Sequence, residues 1–181
     1  MELMNWNILS VAKSEIGSNR KHRGNRYLTV IQYSIDMFQS LIEMRRVIRN
    51  NGRIIMVVGR ESKIRSVSFE NYKIIASLAM GGAGLDLVLR QERKFVTRFG
   101  EPIYEDLLHF TPAKKDVNIS TNFSREIGVH FLKKAMTYAP FSVQKDIISA
   151  INRSKEVLAS PLFLEQNSKK EKRFGNENIT S

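Results

Sequence analysis

Residues 33–65 decide the fold of this chain, and they read YSIDMFQSLIEMRRVIRNNGRIIMVVGRESKIR. Apolar side chains three or four positions apart predict a helix over the first half of this stretch and the residues just before it. Asn50, Asn51 and Gly52 tolerate the left-handed backbone that commonly ends a helix, so they predict where it stops. The apolar helical positions are Tyr27, Val30, Ile31, Ile35, Phe38, Leu41 and Ile42.

Five consecutive apolar residues, from Ile54 to Val58, follow the predicted helix end. The run is too short for an independent helix and predicts a strand covered on both faces, as in a parallel sheet. A helix that leads into such a strand is half of an α/β crossover unit. The loop after the strand carries Arg60, Lys63 and Arg65. In an open α/β sheet that loop lies on the functional edge, because ligands bind where the strands end.

The predicted helix end and strand are similar to the middle of class I S-adenosylmethionine-dependent methyltransferases. The family pattern is E-x-x-R-V-(I/L)-(K/R)-x-x-G-(R/K), and it is matched here by Glu43, Arg46, Val47, Ile48, Arg49, Gly52 and Arg53. The strand exit, Val57 to Arg65, resembles DNA methyltransferases of restriction–modification type, which often read V-V-G-(N/D/R)-S followed by a basic residue. The helix entry at Tyr33, Asp36 and Met37 resembles them too. The resemblance covers the chain from Tyr27 to Phe110.

The order of elements after residue 65 predicts a second helix and then a hairpin. Ser68 is a candidate N-cap of that helix. Gly81-Gly82-Ala83-Gly84 follow a helix and precede a strand, whereas glycines that cradle a cofactor follow a strand and open a helix. They therefore predict a helix stop and a turn. The buried stripe of the helix would be Tyr72, Ile75, Ala76, Ala79 and Met80.

Two further strands are predicted, one starting at Leu85 and one from Ile103 to Phe110. The resemblance implies that this pair is the antiparallel hairpin that closes the sheet of class I methyltransferases. Glu105 and Asp106 are the polar interruption of its last strand. His109, between Leu108 and Phe110, is predicted to be a core or edge histidine rather than a catalytic one.

The C-terminal third predicts two helices after a polar linker over residues 111–121. The first would be capped by Ser124 and end at Ala139-Pro140, and the second would run from Phe141 to Leu158. The predicted regions are residues 1–26, an N-terminal helix and basic loop; 27–110, the methyltransferase-like α/β region; 111–164, a helical hairpin; and 165–181, a disordered basic tail. The predicted fold class is α/β, with a partial class I methyltransferase-like (Rossmann-like) sheet closed by an antiparallel hairpin.

Composition limits the chemistry that the chain can perform. It has 181 residues, 42% of them hydrophobic, which suits one domain with a modest tail. The absence of cysteine excludes disulfides, thiolate metal sites and cysteine nucleophiles. Its three histidines, at positions 22, 109 and 130, are too scattered to predict a metal site. No apolar run is long enough to cross a bilayer and the N-terminus lacks the order of a secretory signal, so we expect a cytoplasmic protein.

A net charge of +11 favours a polyanionic partner, and DNA is the partner that we expect. One basic loop carries Arg20, Lys21, Arg23 and Arg26, and the other carries Arg60, Lys63 and Arg65. Neither cluster shows a base-reading pattern, so both are predicted to contact phosphates. The alternative for each is a solvated surface loop. Gly59 and Ser62 are predicted to lie at the active-site edge.

Two parts of the methyltransferase family pattern are missing from the sequence. One is a glycine-rich turn after the first strand, and the other is the (S/D/N)-P-P-(Y/F/W) loop that polarises the exocyclic amine of a flipped base. The prolines are Pro102, Pro112, Pro140 and Pro161, and no two are adjacent. No catalytic residue is therefore predicted, and the cofactor-binding residues are unknown. In family order, both missing parts would lie before Met1.

The resemblance implies a part or subunit of a DNA methyltransferase that transfers a methyl group from S-adenosylmethionine to N4 of cytosine or N6 of adenine. Such a part is expected to be inactive alone and to meet the cofactor only in an assembled enzyme. The expected partner is a second subunit that carries the N-terminal half of the fold, or another copy of this chain. The reason is that the unpaired edge of the strand at residues 54–58 would expose backbone groups that can pair with another strand. The alternatives are a non-catalytic nucleic-acid-binding protein and a fragment of an RNA or protein methyltransferase.

Overall fold

The computed structural model describes residues 25–114 and 120–159. Within these ranges the chain is a mixed α/β protein with four α-helices and two small antiparallel sheets. The helices are α1 (Leu28–Val47), α2 (Asn71–Gly81), α3 (Thr121–Met136) and α4 (Phe141–Asn152), followed by a 3₁₀ turn, Ser154–Glu156. The strands are β1 (Ile54–Gly59), β2 (Glu61–Ile64), β3 (Val67–Glu70), β4 (Leu85–Val96) and β5 (Pro102–Pro112). The predicted N-terminal helix and C-terminal tail lie outside the described residues.

The larger sheet has the strand order β1-β5-β4, and β5 is antiparallel to both neighbours. Consequently β1 and β4 run parallel to each other, and α2 lies between them in the sequence. Met56 of β1 pairs with Leu108 of β5, which in turn pairs with Arg90 of β4. The smaller sheet is the hairpin of β2 and β3.

The predicted hairpin is confirmed, and β4 begins at Leu85 as expected. The glycine-rich segment before it is a helix stop and turn: α2 ends at Gly81, and Gly84 has a φ of 66°. That backbone conformation is costly for a residue with a Cβ atom, which explains a glycine at this position. His109 is 8% exposed, and its Nε2 atom lies 3.0 Å from Oε1 of Gln91 on the neighbouring strand.

The prediction that β1 is buried on both faces is wrong for the described part of the chain. Met56 and Val58 pack against the core, whereas Ile55 and Val57 on the opposite face are 56% and 53% exposed. The only strand that pairs with β1 within residues 25–114 and 120–159 is β5, and it is antiparallel. A continuous apolar run carries no alternation, so the sequence alone could not show that one face is open.

Helix α1 confirms the apolar spacing that predicted it, since Val30, Ile31, Ile35, Phe38 and Leu41 are all buried. Its regular part ends at Val47, and the segment before β1 turns through a hydrogen bond from the Gly52 amide to the Arg49 carbonyl (2.8 Å). The core lies between α1, α2, α3 and α4 and the face of the sheet that holds Leu108 and Phe110.

Four predicted boundaries and one predicted buried position are wrong, and one of these boundaries is the end of α3, which lies at Met136 rather than at Ala139-Pro140. Ser68 does not cap α2, because it lies inside β3, a short strand that the sequence analysis missed. Ser124 does not cap α3, because the helix begins earlier, at Thr121, and the Ser124 hydroxyl donates to the Thr121 carbonyl (2.9 Å). Helix α4 ends at Asn152 rather than continuing to Leu158, and Met80 of α2 is exposed rather than part of its buried stripe.

Helices α1 and α3 approach each other closely at Gly128. A Cβ atom placed there would lie 3.0 Å from the Ile31 Cα atom and 3.1 Å from the Ser34 Oγ atom. Both neighbours are buried residues in the first two turns of α1, and the Ile31 contact is with its backbone, which cannot move away without shifting the helix. We infer that the small size of Gly128, rather than its flexibility, is what the packing requires.

Gly128→Ala should therefore lower the free energy of unfolding by about 1 kcal/mol, even though alanine is the better helix former by a similar amount. Urea unfolding followed by circular dichroism would measure the change. Gly59→Ala is a matched control, because a Cβ atom at Gly59 would have no neighbour within 4 Å. An unchanged or raised stability of Gly128→Ala would show that the two helices can separate without cost.

Candidate functional site

The carboxyl end of β1 is held by the first residue of α2. The Asn71 side-chain amide donates to the Gly59 carbonyl and to the Ser62 hydroxyl, each at 2.9 Å. The Asn71 backbone amide donates to the Arg60 carbonyl (3.1 Å), and the Arg60 amide donates to the Tyr104 carbonyl on β5 (3.0 Å). The predicted edge residues Gly59 and Ser62 are thus brought together by one asparagine.

The segment predicted as a basic loop is largely the hairpin of β2 and β3. Ile64 pairs with Val67, so Arg65 and Ser66 form a two-residue turn. Arg65 has a φ of 54°. This is the left-handed backbone conformation that glycine often adopts at the first position of such a turn. Holding a residue with a side chain there costs about 1 kcal/mol. The Arg65 guanidinium forms an ion pair with Asp146 of α4, which favours this placement.

A cavity of about 560 Å³ opens between the start of α1 and the β2–β3 hairpin. Burial raises the pKa of the Tyr33 hydroxyl above its usual range. Eight of the thirteen residues that line the cavity are polar or charged, so it suits a small, partly polar molecule. Its lining is Asn25, Arg26, Leu28, Thr29, Val30, Gln32, Tyr33, Asp36, Ser62, Ile64, Phe69, Asn71 and Ile74.

Arg60 belongs to an ion cluster rather than to a free basic loop. Its Nη2 atom lies 2.8 Å from Oε2 of Glu92, its Nε atom lies 3.9 Å from Oδ2 of Asp106, and its guanidinium lies 4.9 Å from the centre of the Tyr104 ring. The Arg60 side chain is 27% exposed. These contacts leave less of its positive charge available to an external phosphate.

Asp106 is the centre of this cluster and is fully buried. Arg90 of β4 binds its Oδ1 atom through Nη2 (2.8 Å) and Nε (3.0 Å) and stacks 3.7 Å from the centre of the Tyr72 ring. Burial lowers the pKa of the Arg90 guanidinium, but the hydrogen bond and charge of Asp106 outweigh burial and raise it above the usual range. Oδ2 of Asp106 has no hydrogen-bond partner among the described residues.

Sequence reasoning missed this cluster, although a signal for it existed. Asp106 interrupts an apolar strand, and a carboxylate in the middle of a buried strand needs a cation nearby. The partner could not be chosen without the strand register, which places Arg90 and Glu92 of β4 beside Leu108 and Asp106 of β5.

The other predicted DNA-binding residues are dispersed. Lys63 lies on β2, is exposed and forms no ion pair within the described ranges. Arg26 precedes α1 and lines the same cavity as Ser62, so the structure brings one residue of the first basic cluster to the β2–β3 hairpin. Arg20, Lys21 and Arg23 lie outside the described residues. The DNA contacts of all these residues stay predictions.

The glycines before β4 lie against aromatic side chains of α1 and α3. A Cβ atom at Gly81 would lie 2.7 Å from the Phe123 ring, and one at Gly82 would lie 2.8 Å from the Phe38 ring. These contacts agree with the prediction that the segment is a helix stop and turn rather than a loop that cradles a cofactor. Residues 25–114 and 120–159 hold no group of three or more histidine, aspartate or glutamate side chains that could bind a metal ion.

Comparisons with protein-family models, with curated proteins and with solved structures returned no match to this chain. Among the helices that the structure describes, none has the length and apolar character of a membrane span.

The ion cluster predicts an asymmetry between two mutants. Arg90→Met should lower the free energy of unfolding by about 3 kcal/mol, because it leaves the buried Asp106 carboxylate without its closest cation. Asp106→Asn should lower the free energy of unfolding by less, about 1–2 kcal/mol. The arginines that lose their carboxylate partner, Arg60 and Arg90, are partly exposed, so water can hydrate their charges.

Urea unfolding would measure both changes. Arg93→Met is the control for removing an arginine from the same strand. Its ion pair with Glu105 is more exposed, so the mutation should cost no more than about 1 kcal/mol. Equal losses for Arg90→Met and Asp106→Asn would contradict the assignment of Asp106 as the group that most needs its partner.

Proposed function

We propose that this chain is the carboxyl-terminal part or subunit of an S-adenosylmethionine-dependent DNA methyltransferase of restriction–modification type, which modifies an exocyclic base amine. The chain is inactive alone, and the cofactor turn and the catalytic loop come from another part of the assembled enzyme. Because the sequence lacks the glycine-rich turn and the Pro-Pro-aromatic loop, no step of methyl transfer is assigned to its residues.

The strand arrangement is the observation that carries this proposal. β1 and β4 are parallel and are separated in the sequence by α2, which is the connection expected in an α/β sheet. β5 then returns between them, antiparallel to both. This is how a hairpin closes the end of a mostly parallel sheet, and it agrees with the closing hairpin that the sequence resemblance implies.

The open side of β1 supports a second part of the fold. Within the described residues β1 has no neighbour on the edge away from β5, and Ile55 and Val57 expose their side chains on its outer face. An exposed apolar strand edge is a pairing hazard unless it is covered. The strands of the missing half, carried by a second subunit or by another copy of this chain, would extend the sheet at that edge.

The carboxyl end of β1 is where this chain would take part in the reaction. The hydrogen bonds of Asn71 fix Gly59 and Ser62 at that end, and the cavity between α1 and the β2–β3 hairpin opens beside them. In the assembled enzyme we place the cofactor and the target base next to Gly59 and Arg60. The role of Asn71 there is to position the loop.

The first test is the affinity of the pure chain for S-adenosylmethionine. Calorimetric titration should detect no binding at micromolar concentrations, because both the glycine turn and a free glycine cradle are absent. A titration of the same sample with duplex DNA is the control for a folded and competent preparation. Stoichiometric micromolar binding of the cofactor would contradict the proposal that the cofactor site lies elsewhere.

A non-catalytic nucleic-acid-binding protein is the second candidate function. The net charge of +11 favours it as much as it favours the first. The two functions differ in what the open edge of β1 does. A simple binding module has no need of a further parallel strand there, whereas the methyltransferase part is incomplete without one.

DNA binding through phosphates predicts a definite salt dependence. Reversing Arg26 and Lys63 to glutamate should weaken binding similarly for every DNA sequence. It should also reduce the slope of log affinity against log salt by about 1.8, since each neutralised phosphate contributes about 0.9. We choose these two because Arg60 and Arg65 are already in ion pairs.

The matched control reverses Arg49 and Arg53, which are exposed near the amino end of β1 and change the net charge by the same amount. Fluorescence anisotropy at several salt concentrations would give both slopes. If the two double mutants lose the same affinity and slope, net charge rather than the β2–β3 edge attracts the DNA.

A further inference from the structure

The hairpin of β4 and β5 continues past the end of β1. The last residue of β1, Gly59, pairs with Glu105, whereas β4 and β5 stay paired as far as Val96 and Pro102. Three more residue pairs extend the ribbon by about 10 Å beyond the carboxyl end of β1. Residues 93–104 form this projecting ribbon.

The ribbon exposes apolar side chains that no described residue covers. Phe99 at its tip is 76% exposed and Val96 is 59% exposed. Phe95 and Ile103 pair on one face of the ribbon, whereas Tyr104 pairs with Lys94 on the other. Exposed apolar groups concentrated on one projecting element mark an interaction site rather than chance surface variation.

The tip is ordered, so it presents Phe99 in a defined position. The Thr97 amide donates to the Glu101 carbonyl (2.8 Å), and the Gly100 amide donates to the Thr97 carbonyl (3.0 Å). The Thr97 hydroxyl accepts from the amides of Phe99 (3.3 Å) and Glu101 (3.2 Å). Gly100 has a φ of 83°, which closes the turn without strain. An ordered turn loses little entropy on binding.

Each exposed ring of the ribbon has a cation beside it. The distances from the charged group to the ring centre are 4.6 Å for Arg98 and Phe99, 5.4 Å for Lys94 and Tyr104, and 5.4 Å for Arg93 and Phe95. Arg93 is neutralised by Glu105, but Lys94 and Arg98 form no ion pair within the described residues. Rings that contact bases and neighbouring cations that contact phosphates are the combination used by nucleic-acid-binding surfaces.

We propose that the ribbon enters a groove of duplex DNA, with Phe99 against the bases and with Lys94 and Arg98 on the phosphates. This inference rests on the proposed function, and it names the element that holds the DNA. The two-stranded form favours a groove over a flat single-strand platform, because side chains project from both faces and the major groove admits a β-ribbon. The ribbon also extends past Gly59, so DNA held there lies over the edge where the base is proposed to react.

The closest competing occupant is a protein, either a second copy of this chain or another subunit. Apolar rings alone would suit either partner. Charge complementarity favours DNA, because Lys94 and Arg98 lie next to exposed rings and the whole chain has a net charge of +11. A protein partner is kept as an outcome of the test.

The test compares Phe99→Ala with Phe141→Ala on a short duplex of random sequence. Phe141, at the start of α4, is 90% exposed and is the matched control for losing an exposed phenylalanine. Phe99→Ala should lower the affinity about 10- to 100-fold, the effect of removing one buried phenylalanine ring from the interface, without changing the salt slope. Phe99→Trp should restore it. Lys94→Ala with Arg98→Ala should instead reduce the slope by about 1.8.

Several outcomes would overturn the inference. If Phe99→Ala binds duplex DNA as tightly as Phe141→Ala, the ribbon is not the DNA-binding element, and the proposed function survives. If Phe99→Ala instead dissociates a dimer in sedimentation while DNA affinity is unchanged, the occupant is a second copy. A larger loss on single-stranded than on duplex DNA excludes groove entry. If the wild-type chain binds no DNA at all, both the inference and the proposed function fail.

Discussion

Strand β5 is the element on which the described structure depends, because each pairing in the three-stranded sheet involves it. It contributes Leu108 and Phe110 to the core and places the fully buried Asp106 between them and the exposed ribbon. The carboxylate is neutralised by Arg90 from β4 and approached by Arg60 from the segment after β1. Asp106 thereby fixes the register of all three strands. A slip of one residue would turn it to the outer face and bring Leu107 inward instead.

The ion pairs around Asp106 also reduce the ability of the carboxyl end of β1 to bind an external anion. The sequence places a basic segment at that end, but the sheet uses the first of its arginines to balance Asp106 and Glu92. What remains for a ligand is a backbone held by Asn71, a cavity lined by both polar and apolar side chains, and scattered exposed cations. A surface of this kind can position a partner molecule, while the chemistry requires groups from elsewhere.

Local pattern predicted much of the fold. The spacing in α1, the apolar run of β1, the glycine stop before Leu85 and the closing hairpin were all readable, because each is set by residues close together in the sequence. The open face at Ile55 and Val57 was not readable, since exposure depends on what lies opposite. Strand β3 was missed although its residues Val-Ser-Phe-Glu alternate, because four residues are too few to distinguish a short strand from the start of the predicted helix. The ion cluster needed the register of β4 and β5, which no single segment specifies.

The order of packing has a consequence for how the chain reaches this structure during synthesis. Helix α1 is completed early, yet its apolar face is buried in part by α3, and Asn25, three positions before the helix, donates to the Asp146 carbonyl 121 positions later (2.6 Å). At typical translation rates that separation corresponds to on the order of ten seconds. During this interval the buried side of α1 has no permanent cover. A chaperone, or a subunit already present beside the ribosome, could bind the apolar face of α1 in the nascent chain before α3 buries it.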